Sequence, residues 1–192
     1  MSRESEMDPD CPNEFRRESH ANKIFLALLL LAFVVAVIPW VMKPKTELLS
    51  KGRAPEIKAA GWVNGEAPTK ESLEGKVIVV ICWATWCGPC REEAPHLVAV
   101  HKKFANRGVV FIGLTTDGEE SLGKVEKFLK KAGITWLNGW GADETSKALR
   151  AEYIPALYVV GRDGRLVWFN QEDGGELEEI IEAVLAQPST PS

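Results

Sequence analysis

The feature that most constrains this chain is the junction between Lys76–Ala84, KVIVVICWA, and the polar stretch beginning at Gly88. The first segment is a continuous apolar, β-branched run with no alternation, which predicts a strand buried on both faces, as in a parallel sheet covered by helices. Gly88 to Ala105 reads as a helix, stopped by Gly108. Val109–Thr116, VVFIGLTT, is a second buried strand. A strand, a helix and another buried strand in that order predict a right-handed βαβ crossover.

The rest of the chain extends the alternation. Glu119–Gly133 repeats Leu122, Val125, Phe128 and Leu129 at helical spacing. Ile134–Trp140 suits a short strand, and Asp143–Tyr153 opens on acids as a short helix. Pro155–Val160 and Arg165–Asn170 read as a hairpin joined by GRDG, and Gly175–Gln187 closes as an amphipathic helix. Weaker strand patterns lie around Ile57 and Trp62–Val63, with a turn at Asn64–Gly65. The fold class is therefore α/β, a central mixed β-sheet with helices on both faces. Residues 54–187 form the folded domain, and 188–192 are a C-terminal tail.

Ile24–Met42, IFLALLLLAFVVAVIPWVM, is 19 residues without a charge. As a helix it would be about 28 Å long, close to the hydrocarbon thickness of a bilayer. Trp40 and the flanking Lys23, Lys43 and Lys45 suit the two interfaces. The run exceeds a signal-peptide core and no small-x-small cleavage pattern follows, which favours an uncleaved transmembrane anchor. Residues 1–23 then form a disordered tail and 43–53 a linker. Arg16, Arg17 and Lys23 before the span stand against Lys43, Lys45, Lys51 and Arg53 after it, so basic residues leave its orientation open. Net charge is −4 with no basic stripe in sequence, so nucleic acid is not an expected partner.

Cys87 and Cys90 fall where the strand gives way to the helix. A helix N-terminus presents unpaired amides and partial positive charge, which favour a thiolate. Cys87 is thus expected to have a depressed pKa and to attack disulfides, with Cys90, less exposed in the first turn, resolving the mixed disulfide. Pro89 suits an early helix position. Two rival uses of the pair are weaker. Zinc needs two further ligands, and His96 and His101 cannot supply them together from one helix; a c-type haem needs His where Arg91 stands. No metal or other cofactor is expected. A purely structural bridge would close too short a loop to restrict the unfolded chain much.

WATWCGPCREEAP, with Trp86 before the first cysteine and Pro95 five residues after the second, resembles the motif of the thioredoxin superfamily. EYIPALYVVGRDGRLV resembles that family's cis-proline segment and following hairpin, with Pro155 at the proline position and Ile154 before it. The apolar N-terminal run, LEGKVIVV and EEAP narrow the likeness to TlpA/ResA-like membrane-anchored thiol-disulfide oxidoreductases. The resemblance implies a thioredoxin fold over Ala54–Gln187, held outside the cytoplasmic membrane. It implies protein disulfide or dithiol substrates, a membrane dithiol donor for recycling, and a substrate surface of Trp86, Gly88, Pro89, Ile154 and Pro155. Reduction of protein disulfides is the favoured direction, with apocytochrome c thiols among the candidate substrates. The alternatives are a thiol oxidase, a redox-signalling protein, or a non-enzymatic thioredoxin-like module that binds a partner or metal.

Ile81 occupies the position of the buried Asp of cytoplasmic thioredoxins, so an acid must come from elsewhere if one is used. Cys90, Glu93, Leu97, Val100 and Phe104 share one helical stripe, which predicts that Glu93 is a carboxyl on the apolar face able to tune the thiols and take the Cys90 proton. The competing reading is a partly solvated Glu at the helix edge. Cys82 is expected to be an inert core thiol, and His96 and His101 surface residues. Trp83 is open between the core and the site.

Overall fold

A computed structural model describes residues 52–188, together with Phe25, Leu28 and Leu29, which are helical with exposed side chains. The expected tail, the rest of the Ile24–Met42 span and nearly all of the linker lie outside the described residues. Among the described residues no helix is long and apolar enough to cross a membrane.

The elements in chain order are β1 (Gly61–Val63), α1 (Lys70–Leu73), β2 (Val77–Trp83), α2 (Gly88–Phe104), β3 (Val109–Thr115), α3 (Leu122–Ala132), β4 (Leu137–Trp140), α4 (Asp143–Ala148), β5 (Ala156–Val160), β6 (Leu166–Phe169) and α5 (Leu177–Leu185). They build one six-stranded sheet in the order β1-β4-β3-β2-β5-β6. β2 pairs parallel with β3 and antiparallel with β5, so the strand leading into the cysteines sits near the middle of a mixed sheet. Every residue of β2 is buried, as its unbroken apolar run requires.

Alternation along β2 divides the core. Val77, Val79, Ile81 and Trp83 face a layer containing Leu97 and Phe104 of α2, Val125 and Leu129 of α3, and Ile181 of α5. Ile78, Val80 and Cys82 face the other layer, with Tyr158, Phe169, Leu149 and the segment around Ile57 and Trp62. Three helices thus cover one face, and α4 with the N-terminal segment covers the other.

Three expectations change. The weak pattern around Ile57 packs against the core without forming a strand, whereas Thr69 opens an unforeseen short helix through a capping box with Ser72. The helix after Asp143 ends at Ala148, well before Tyr153, and Arg150 follows in a left-handed conformation (φ 57°). His101 is not a simple surface residue. Its ring meets Phe111 edge-on at 5.1 Å and lies 5.1 Å from Trp136, and burial lowers its pKa.

Candidate active site

β2 delivers the chain to the sheet's edge, and Ala84–Trp86 turn it into α2. Cys87 is the residue capping that helix: its Sγ accepts the Cys90 backbone N–H at 3.1 Å. Cys87 and Cys90 are joined as a disulfide, with S–S 2.01 Å and Cα–Cα 5.3 Å. Pro89 lies in the first turn, where its missing N–H leaves no intrahelical bond unmade. The two cysteines are equally sheltered, 3% and 4% exposed, so the expected difference in exposure is not seen in the closed pair. Both sulfurs are packed between the start of α2 and the Ile154–Pro155 segment, while Trp86, Gly88 and Pro89 around them are exposed. A Cβ built on Gly88 meets nothing within 4 Å, so the space in front of the motif is open.

Two polar clamps set this geometry, and both use residues distant in sequence. Asp117, just beyond β3, accepts the Thr85 backbone N–H at 2.7 Å, the Thr85 hydroxyl at 3.1 Å and the Thr115 hydroxyl at 2.8 Å. Arg91 donates from its guanidinium to the Thr85 carbonyl at 2.8 Å, closing the loop from the helix side. The second clamp is Asn170. Its Oδ1 accepts the Leu157 N–H at 3.0 Å and its Nδ2 donates to the Pro155 carbonyl at 3.3 Å. The Ile154–Pro155 peptide bond is cis. The Ile154 carbonyl oxygen stands 3.7 Å from Cys87 Sγ, bringing together two segments 67 residues apart. Neither Asp117 nor Asn170 belongs to a recognisable motif. The one available signal was a polar side chain within two residues of the end of each of two apolar strands.

Beneath the disulfide, Cys90 lines a small apolar chamber with Ile81, Ala94, Leu97 and Pro155. Trp83 belongs to the core: its ring stacks on Phe128 at 4.4 Å and its Nε1 donates to Asn138 at 3.1 Å. The buried stripe of α2 runs Cys90, Ala94, Leu97, Val100, Phe104. Ala94 therefore takes the place expected for Glu93, because a 3.6-residue period admits either residue after Cys90 and the apolar one is buried. Glu93 lies at the edge of that stripe, its side chain 34% exposed, and its carboxylate meets His96 Nδ1 at 2.7 Å. His96 also reaches Glu178 of α5 at 3.3 Å. The hydrogen bond that His96 donates to the Glu93 carboxylate raises the His96 pKa, against a smaller opposing effect of burial, and Glu178 adds to the rise.

Cys82 is the remaining cysteine among the described residues. Burial pushes its thiol up to about 12, which leaves it without nucleophilic thiolate at neutral pH. Among the described residues no group of three His, Cys, Asp or Glu side chains is arranged to hold a metal ion. What the site can do chemically is open and close the Cys87–Cys90 bond at a helix N-terminus.

Comparison with known proteins agrees with that chemistry. Residues 50–185 match the Redoxin family. The thiol-disulfide oxidoreductase ResA of Oceanobacillus iheyensis is 26% identical over 169 residues, 83% of this chain and 79% of that protein. Protein DipZ of Mycobacterium bovis is 31% identical over 151 residues, which are 72% of this chain and 21% of DipZ. A crystallised thiol:disulfide interchange protein of the thioredoxin family from Chlorobium tepidum superposes with a TM-score of 0.59 at 26% identity, covering 70% of this chain and 98% of that one. The expected thioredoxin-like fold is thereby met. The chain belongs to the Redoxin family and is a thiol-disulfide oxidoreductase with a Cys-x-x-Cys pair.

Proposed function

We propose that this protein is a membrane-anchored reductase of protein disulfides that works outside the cytoplasmic membrane. The observation that carries the disulfide-exchange reading is the Cys87–Cys90 pair at the N-terminus of α2, with the Ile154 carbonyl 3.7 Å from Cys87 Sγ. The Gly88–Pro89 dipeptide between the cysteines, which resembles that of reducing thioredoxins, supports reduction as its direction. In the reduced protein, the Cys87 thiolate is favoured by the Cys90 amide and the helix terminus. It attacks one sulfur of a substrate disulfide. The other substrate sulfur leaves as a thiolate and takes a proton. Cys90 then loses its proton and attacks Cys87 Sγ, which releases the second substrate thiol and closes the Cys87–Cys90 bond. Two electrons and two protons pass to the substrate in each cycle.

Trp86, Gly88, Pro89, Ile154 and Pro155 frame the approach, and the backbone at Ile154 pairs with the bound polypeptide. Glu93, one helical turn after Cys90 and hydrogen-bonded to His96, receives the Cys90 proton and passes it to solvent. Ile24–Met42 supplies the anchor, with residues 1–23 cytoplasmic and 54–187 outside. A membrane dithiol donor restores the reduced pair, and the thiols of apocytochrome c are a candidate target. Reduction of insulin driven by dithiothreitol tests the activity. Wild type should accelerate it, and Cys87→Ser or Cys90→Ser should abolish the acceleration. A wild type no faster than dithiothreitol alone would refute the reductase reading. Protease added to spheroplasts should digest or release the domain, and full protection would overturn the placement.

A further inference from the structure

Beside the disulfide, on the α3 side of α2, lies a groove of about 670 Å³, within the range of sites that enclose a small ligand or a short peptide segment. Trp86 and Phe128 supply aromatic surface, and Trp86 is 70% exposed. Arg91, Lys124, Lys127 and Lys131 line it against a single carboxylate, Asp117. That carboxylate is already engaged by three hydrogen bonds from Thr85 and Thr115. Lys124, Lys127 and Lys131 stand three and four residues apart along α3, so they share one face over about 10 Å of helix. All three are exposed, and none makes an ion pair among the described residues. The chain as a whole is acidic, at −4, so this cationic excess is local to the groove.

We propose that the groove is a specificity surface that docks substrate polypeptides whose cysteines are flanked by Asp or Glu. The inference rests on the oxidoreductase reading above and adds a substrate class to it. Trp86 belongs both to the frame of the disulfide and to the groove, so a segment seated along α3 is continuous with the reacting sulfurs. Unpaired lysines on a helix face attract carboxylates from a distance and raise the encounter rate, while Trp86 and Phe128 bury the apolar stems between them. A substrate with basic flanks meets the same four cations and is repelled.

The test uses the full chain in nonionic detergent, reduced and freed of reductant. It reacts in single turnover with ring peptides that share one intramolecular disulfide and differ only in flanks of Asp/Glu, Gln/Ser or Lys/Arg. At low ionic strength the acidic peptide should react on the order of tenfold faster than the basic one, and the gap should close in high salt. Lys124→Gln, Lys127→Gln and Lys131→Gln together should collapse the preference, and reversal of the three to Glu should invert it. Reversal of Lys70, Lys102 and Lys147, which lie outside the groove, changes net charge equally and should leave the acidic peptide preferred. Equal rates for acidic and basic peptides in the wild type would overturn the proposal, as would equal effects of the two charge reversals. If the groove lysines instead govern cosedimentation with anionic vesicles while the peptides react alike, the surface meets lipid and the proposal falls. If none of the three peptides is reduced, the oxidoreductase reading fails and this docking role fails with it.

Discussion

Replacing Asp117 by Ala should loosen the loop that delivers Cys87, at a cost the structure allows one to work out. Asp117 accepts hydrogen bonds at 2.7, 3.1 and 2.8 Å from the Thr85 amide, the Thr85 hydroxyl and the Thr115 hydroxyl. A bond to a charged acceptor contributes about 1.5–3 kcal/mol net, and a donor left without a partner costs a similar amount. The Thr85 hydroxyl can rotate toward water, because Thr85 is only half-buried. The Thr115 hydroxyl is buried and the Thr85 amide cannot rotate, so these two carry the cost, and the expected loss is about 2–3 kcal/mol. For a chain of this size that lowers Tm by about 4–12 °C. Asp117→Asn keeps an acceptor in place and should lose about half as much. Urea unfolding with the disulfide closed measures the change as a shift in midpoint at constant slope. A loss below about 0.5 kcal/mol for Asp117→Ala, the range of an ordinary surface substitution, would refute the claim that this carboxylate holds the motif loop.

Other outcomes follow from the core and the charged pairs. Phe104 is fully buried beneath α2, so Phe104→Ala should cost about 3–5 kcal/mol in urea unfolding, and a loss under about 1 kcal/mol would contradict its place in the core. Glu93 and Glu178 raise the His96 pKa above its ordinary 6.5. The stability His96 contributes is therefore full below about pH 6.5 and disappears as pH climbs through the raised value. The midpoint gap between wild type and His96→Gln should shrink on going from pH 6 to pH 9 and in high salt; a gap that widens with pH would reverse the assignment. Cys82, with its thiol pushed up to about 12, should escape iodoacetamide in the native reduced protein and react once denatured. Labelling of native Cys82 at a rate comparable to Cys87 would show that the buried strand opens.

Much of the architecture was legible because it rests on local pattern. The unbroken apolar run of β2 implied burial on both faces, and the cysteines at its end marked where a helix had to start. Pro155 and the GRDG hairpin located the second segment of the site. What escaped depends on contacts between distant residues. Asp117 meets Thr85 across 32 positions, and Asn170 meets Pro155 across 15. Both are single polar residues at strand ends, which in sequence look like ordinary loop chemistry. Glu93 was misplaced for a different reason. A helical stripe resolves position to within about one residue, and packing, which periodicity does not describe, put Ala94 rather than Glu93 inward. His101 was misread similarly, since its aromatic partners come from Phe111 and Trp136 on other elements.

The account stands on Cys87 as the sulfur that attacks and Cys90 as the one that resolves. Trapping measures this most directly. In a Cys90→Ser variant the mixed disulfide with a substrate has no thiol to release it, so the covalent complex should accumulate. Proteolysis and mass spectrometry without reductant should then find the substrate cysteine bonded to the peptide containing Cys87. The complementary Cys87→Ser variant should trap little, because its remaining thiol is not the one capping the helix. Stable complexes formed mainly through Cys90, or none formed by either variant while the wild type still exchanges disulfides, would contradict the account.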